Sequence, residues 1–126
     1  MVKLVLLKKP KEGVSREELV EYLRTVHGPH NSQLPGVNYT LSTQVDPEEE
    51  EAIPDDMEYY DSSETIPVDP AETRYDTLEI HEFDSIEALI EAHSTDHAVE
   101  AEQGLHDVID FEDEIAFVVR DEPLDG

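Results

Sequence analysis

Glu79 and His81 stand two residues apart in Tyr75-Asp76-Thr77-Leu78-Glu79-Ile80-His81-Glu82-Phe83, where residue types alternate with the period of a strand. Strand geometry sends both side chains to one face, with their bases about 7 Å apart. A carboxylate beside an imidazole can orient and polarise it, which is the chemistry of proton transfer near neutral pH. Tyr75, Thr77 and Phe83 share that face, and Leu78 and Ile80 occupy the other. The polar face therefore reads either as a catalytic surface or as a polar interface between two copies of the chain.

His27 is the second candidate. It follows Leu19, Val20, Leu23 and Val26 at helical spacing, in a helix opened by the capping box Ser15-Arg16-Glu17-Glu18. Gly28-Pro29 is expected to stop that helix, glycine taking the left-handed cap. At such an end the macrodipole favours the imidazolium and burial opposes it, a balance suited to acid–base work. The plainer alternative is a helix-terminal histidine that only bonds carbonyls.

His30 either shares the rim of the same site or lies on an exposed loop. Tyr39 and Tyr75 can donate phenolic hydrogen bonds to an aromatic or carbonyl ligand, or serve as half-wet aromatics, and Phe83 adds apolar contact. His93 and His97 would share a helix face and hold a divalent metal if one helix ran through both. However, His-Ser-Thr-Asp-His lacks the zincin glutamate and Ser94-Thr95-Asp96 reads as a break, so no metal is assigned. Axial haem ligation by one of them is a further option. There is no nucleotide loop, serine-hydrolase elbow or dinucleotide fingerprint, and the cofactor is left unknown.

Positioning these groups requires a particular order of elements. Residues 2–7 are almost continuously apolar and read as a strand covered on both faces, closed by a turn from Lys8 to Gly13. Residues 37–45 alternate as a half-buried edge strand. Residues 46–72 carry Pro47, Pro54, Pro67 and Pro70 among many acids, an acidic insertion to which no site is assigned. After the central strand, Asp84 and Glu87 are expected to cap a helix with Ile86, Leu89, Ile90 and His93 on its stripe, followed by a short helix ending at Gly104. Ile115–Val119 is a last strand, apolar on both faces.

Strand, helix, strand, strand, helix, strand is the α+β, ferredoxin-like βαββαβ order, a four-stranded antiparallel sheet with the first and third strands in the middle. Two helices cover only one face of such a sheet. The apolar residues on the other face call for a second subunit, so a homodimer is expected.

Across 126 residues, 33 acidic side chains face 8 basic ones, a formal net charge of −25, and cysteine is absent. One domain, 1–126, follows from length. Disulfides and thiolate metal sites are excluded. A field this negative repels phosphate backbones and anionic bilayers, which argues against nucleic-acid and membrane partners. It suits a halophile's surface, kept soluble in concentrated salt. The apolar N-terminal run is too short for a span and lacks a small-residue cleavage site, so a cytoplasmic location is expected.

Leu4-Val5-Leu6-Leu7-Lys8, the helix ending in His27-Gly28-Pro29, the Leu34-Pro35-Gly36 turn, and Tyr75-Asp76 ahead of Phe83-Asp84-Ser85 together resemble the EthD family of the dimeric α+β barrel superfamily. The resemblance implies a homodimer with pockets between sheet and helices, a small-molecule ligand, and relatives labelled EthD family reductases. It also supports a role for the histidine at position 27. The chain departs from the family pattern in having Tyr22-Leu23 where an aromatic pair is usual, and in having no tryptophan. The functional reading is a binder of an apolar carbonyl or aromatic compound, acting by acid–base or oxidoreductase chemistry through His27, Tyr75, Glu79 and His81. The alternative is a non-catalytic ligand-binding or accessory dimer.

Overall fold

Strand β1 (Val2–Lys8) pairs antiparallel with β3 (Thr77–Phe83) on one side and with β4 (Ile115–Arg120) on the other. Strand β2 (Asn38–Thr43) completes the sheet against β3, giving the order β2-β3-β1-β4 with the first and third strands central, as expected. This is a computed structural model, and it describes residues 1–45, 49, 51–52 and 75–124. Apart from Glu49, Glu51 and Ala52, the acidic insertion at 46–72 lies outside the described residues.

Between β1 and β2 the chain runs through α1 (Arg16–Tyr22), a π-helical turn (Leu23–His27) and α2 (Gly28–Asn31). After β3 come α3 (Ile86–His93), α4 (Asp96–Leu105) and a 3₁₀ turn (Phe111–Asp113). Ser15 caps α1, its hydroxyl accepting from the Glu18 N–H as expected. The cap of α3 is Ser85, which accepts from the Ala88 N–H, and not Asp84. Of the expected stripe of α3, Leu89 and His93 face inward and Ile86 and Ile90 do not. Ala88, Leu89 and Ala92 pack inward, while Ile86 and Ile90 are exposed. Thr95 caps α4, so Ser94-Thr95 does break the helix and His93 and His97 fall on different elements.

Burial along β3 alternates strictly, with Thr77, Glu79, His81 and Phe83 buried and Leu78, Ile80 and Glu82 half-exposed. The chemically furnished face thus lies under the helices, which overturns its reading as a polar interface between subunits. In register, Val2, Leu4, Leu6 and Lys8 pair with Phe83, His81, Glu79 and Thr77 on this covered face. The other face carries Val5 and Leu7 beside Ile80 and Leu78, and Phe117 and Ile115 beside Val5 and Leu7. In the single chain Phe117 is 46% exposed and Ile115 41%, a bare apolar surface where the sequence called for cover.

The buried apolar residues form two clusters. Leu19 and Leu23 pack with Leu105, Val108 and Ile109, and Val2 packs with Leu34, Phe83 and Ala92. Each fully buried Leu or Phe contributes roughly 1.5–3 kcal/mol. Glu79, His81 and His27 are buried yet belong to neither cluster.

Candidate functional site

The helical segment does not stop at Gly28. Gly28 is right-handed (φ −60°) and its N–H bonds back five residues to the Leu23 carbonyl, which makes 23–27 a π-turn. Pro29 sits in the first turn of α2, where its missing N–H costs nothing. The wider turn puts Leu23 and His27 inward and leaves Val26 51% exposed, against the expected stripe. A Cβ at Gly28 would lie 2.6 Å from the Leu23 oxygen and 3.4 Å from Cε1 of Tyr39. Glycine is therefore what allows the π-turn to seat His27 while Tyr39 packs beneath it.

Glu79 is the hub. Its side chain has 0% exposure, and Oε1 accepts from Nζ of Lys8, itself 1% exposed. Oε2 accepts from the Tyr39 hydroxyl at 2.6 Å and lies 3.4 Å from His27 Nε2 and 3.9 Å from His81 Nε2. Lys8 also reaches Glu114 at 3.0 Å. His27 Nε2 is 2.9 Å from Asn31 Nδ2, and His81 Nδ1 is 3.0 Å from His93 Nε2.

These contacts set the protonation states around the hub. Burial pushes the Glu79 carboxyl up, but the neighbouring His27 and His81 imidazoles and then the Lys8 charge outweigh it and hold the group well below the usual carboxylate range. Burial and then the Glu79 charge push the Tyr39 phenol far above its ordinary value. Glu79 stays ionised and Tyr39 stays a donor. Among the side chains gathered here, the imidazoles are the type able to trade a proton near neutrality.

Two ring nitrogens, His27 Nδ1 and His81 Nε2, are buried without a hydrogen-bond partner among the described residues. Leaving such an atom unpaired costs about 1–3 kcal/mol, and it marks a place where a ligand or water belongs. Both histidines line a cavity of about 190 Å³ walled by Leu4, Leu6, Ala98, Ala101, Leu105 and Phe111. Its polar lining adds Lys8, Asn31, His93, Glu102 and Glu114.

Of the residues singled out from sequence, His27, Glu79, His81 and Tyr39 come together. Tyr39 reaches the hub from β2, with its ring in the wall of a separate open groove beside Gly28 and Leu41. Three others do not join them. Tyr75 precedes β3, with the Lys9 ammonium 5.8 Å from its ring. Phe83 shares the hub's face but is taken into the cluster of Val2, Leu34 and Ala92. His30 neither lines the rim nor sits on a free loop. It stacks on His97 at 3.6 Å, and each ring bonds the other's backbone carbonyl, clasping α2 to α4.

Lys8, Asn31 and His93 were missed by sequence reasoning. Lys8 looked like the start of a turn, yet it keeps the parity of Val2, Leu4 and Leu6 and so points under the helices. His93 looked like half of a metal pair with His97. Among the described residues no cluster of three or more His, Cys, Asp or Glu could hold a metal, and no helix is long and apolar enough to cross a membrane.

No protein-family model and no curated protein matches the sequence. Solved structures do match. An ethyl tert-butyl ether D (EthD) family protein of Bacillus halodurans superposes at TM-score 0.65 with 16% identity, over 97% of this chain and 99% of that one. A hydroxynitrile lyase of Passiflora edulis gives 0.64 with 13% identity, over 98% and 96%. A dimeric protein of ferredoxin-like fold from Bacteroides fragilis gives 0.59 with 12% identity, over 94% and 93%. At 12–16% identity these likenesses establish the fold, and the chain is an α+β protein of the ferredoxin-like kind, with a dimer and a lyase among the structures it resembles.

Proposed function

We propose that the chain binds a small, mostly apolar carbonyl or aromatic compound in the cavity beside Glu79 and acts on it by proton transfer. The observation that carries this reading is the pair of buried, unpartnered ring nitrogens, His27 Nδ1 and His81 Nε2, on two imidazoles that flank an ionised carboxylate, His27 doing so through its other nitrogen, Nε2. One imidazole takes a proton from the carbon next to a carbonyl, forming N–H as C–H breaks. The electron pair moves to the carbonyl oxygen as an enolate, and the other imidazole, charged, delivers a proton there. Glu79 offsets the imidazolium in both states.

The cavity limits the substrate. A 150 Å³ apolar cavity holds benzene, so about 190 Å³ accommodates roughly one ring with a few substituent atoms. Glu102 and Glu114 outnumber Lys8 in the lining, and Lys8 is itself paired with Glu79, which disfavours carboxylate or phosphate substrates. Acid–base chemistry is the reading that the two imidazoles gathered on the Glu79 carboxylate support directly. The bare apolar sheet face, together with the dimeric Bacteroides neighbour, supports a homodimer.

Deuterium incorporation next to the carbonyl of cyclohexanone in D₂O, followed by proton NMR, tests the reading. Exchange above the buffer rate is expected, falling about 10²–10⁴-fold in His81→Ala and His27→Ala. Binding without exchange would favour the accessory-module alternative.

A further inference from the structure

His93 has a role that none of its neighbours shares. Its Nδ1 lies 2.9 Å from the Leu89 carbonyl oxygen, one turn back on α3. A carbonyl only accepts, so Nδ1 carries the hydrogen, and in a neutral ring Nε2 is then a lone pair. His81 Nδ1 lies 3.0 Å from that lone pair and must be the donor. His81 Nε2 is thereby left as a lone pair, 3.9 Å from Glu79 Oε2 and without a hydrogen-bond partner among the described residues.

This arrangement runs against the local field. Glu79 is an acceptor only, and an unrestrained His81 would place its single hydrogen on Nε2 to meet it. That tautomer cannot accept a proton at the nitrogen beside the carboxylate. We infer that His93 is a positioning residue, anchored by the Leu89 carbonyl, that locks His81 in the Nδ1–H form so that Nε2 is the atom that takes up a proton. Once Nε2 is protonated, the imidazolium keeps its bond to His93 and gains the Glu79 carboxylate.

The surroundings of the two rings agree with these roles. They lie nearly parallel, 15° apart with centroids 5.2 Å apart, and Phe83 packs edge-on against His93 at 5.5 Å. Burial first, then the His81 charge, pushes the His93 imidazole below its ordinary value despite the opposing Leu89 bond, so His93 stays neutral and able to accept. Among the described residues Glu79 on its own strand and Tyr39 on β2, whose ring is 5.2 Å away, also face His81, and Lys8, His27, Glu102 and Glu114 share its cavity. His93 lines the cavity but acts through His81.

The functional consequence rests on the acid–base reading, while the tautomer does not. Uniformly ¹⁵N-labelled protein, studied above pH 7.5 by long-range ¹H–¹⁵N correlation, reports which nitrogen of each histidine is protonated. In the wild type His81 is expected to show a pyridine-type Nε2 and a pyrrole-type Nδ1. His93→Phe is expected to invert that pattern, and His93→Gln, whose amide oxygen can accept the Nδ1 hydrogen, to preserve it. A wild-type His81 protonated on Nε2, or an unchanged tautomer in His93→Phe, overturns the inference. If His93→Phe fails to fold, the wild-type and His93→Gln spectra still decide. Cyclohexanone exchange should fall at least tenfold in His93→Phe and recover in His93→Gln. The expected tautomer with no exchange sinks the acid–base reading alone, and exchange with the opposite tautomer sinks the positioning role alone.

Discussion

The Lys8 ammonium and the Glu79 carboxylate meet beneath the helices with 1% and 0% of their side chains exposed, joining the end of β1 to the middle of β3. Truncating one member of such a pair strands the other charge, at a cost of about 3–5 kcal/mol. Lys8→Met should therefore destabilise strongly, and Lys8→Met combined with Glu79→Gln should cost less than the sum of the two. Urea denaturation of the single and double variants measures this coupling, and strict additivity would contradict the pairing.

The same carboxylate sets an acid limb of stability. Its folded value is depressed, so the unfolded chain binds the proton first as pH falls. The stabilisation is complete above the unfolded carboxylate value, about 4.3, and is lost as pH drops through the lower folded value. Melting curves from pH 7 to pH 2.5 at constant salt should show a shallower acid decline for Glu79→Gln than for wild type. Identical slopes would mean that Glu79 is not held ionised.

Gly28 is predicted to be specific in its requirement. Gly28→Ala sets a methyl 2.6 Å from the Leu23 carbonyl and against the Tyr39 ring, so the π-turn must relax. The expected result is a loss of about 1–3 kcal/mol, as for other overpacked sites, with the His27 resonances displaced in the NMR spectrum. An alanine variant with wild-type stability and unshifted His27 would remove the argument.

The bare sheet face predicts the assembly. Phe117→Glu, placed where that side chain is 46% exposed in the single chain, should convert a two-fold dimer into monomers with the secondary structure kept. A dimer through this face should bury on the order of 1,200–2,000 Å² in total. Light scattering at micromolar concentration distinguishes the outcomes, and a monomeric wild type would defeat the dimer.

Charge predicts a dependence on salt. Beyond Arg24 there are 29 acidic side chains and only two basic ones, Arg74 and Arg120. Their repulsion is screened within about 3 Å at 1 M salt and reaches about 30 Å at 0.01 M. The melting temperature should fall as potassium chloride is lowered from molar to millimolar. A constant value would remove the halophilic reading.

The strand order and the chemistry of β3 were legible because period-two alternation leaves a plain signature, and Glu79 and His81 carry it. What escaped the sequence is tertiary. The π-turn changes the phase of the helix at a point where Gly28-Pro29 reads locally as a stop, so regular spacing puts Val26 and His27 on one stripe although only His27 faces inward. Lys8 reads as the start of a turn because a buried lysine is readable only from its partner, 71 residues away. His93 pairs with His81 across a strand-to-helix turn and not with the neighbour four positions on, since Thr95 starts a new helix between them. Local spacing carries no record of such contacts.

A crystal structure of the protein soaked with phenol, a single ring with one hydroxyl donor, tests the central claim most directly. The account predicts phenol inside the cavity walled by Leu4, Leu6 and Phe111, with its oxygen within hydrogen-bond distance of His81 Nε2 or His27 Nδ1. The density should be lost in a His27→Ala, His81→Ala double variant that still folds. Phenol bound elsewhere, or a cavity that keeps both nitrogens capped by ordered water and excludes the ring at saturating concentration, would contradict it.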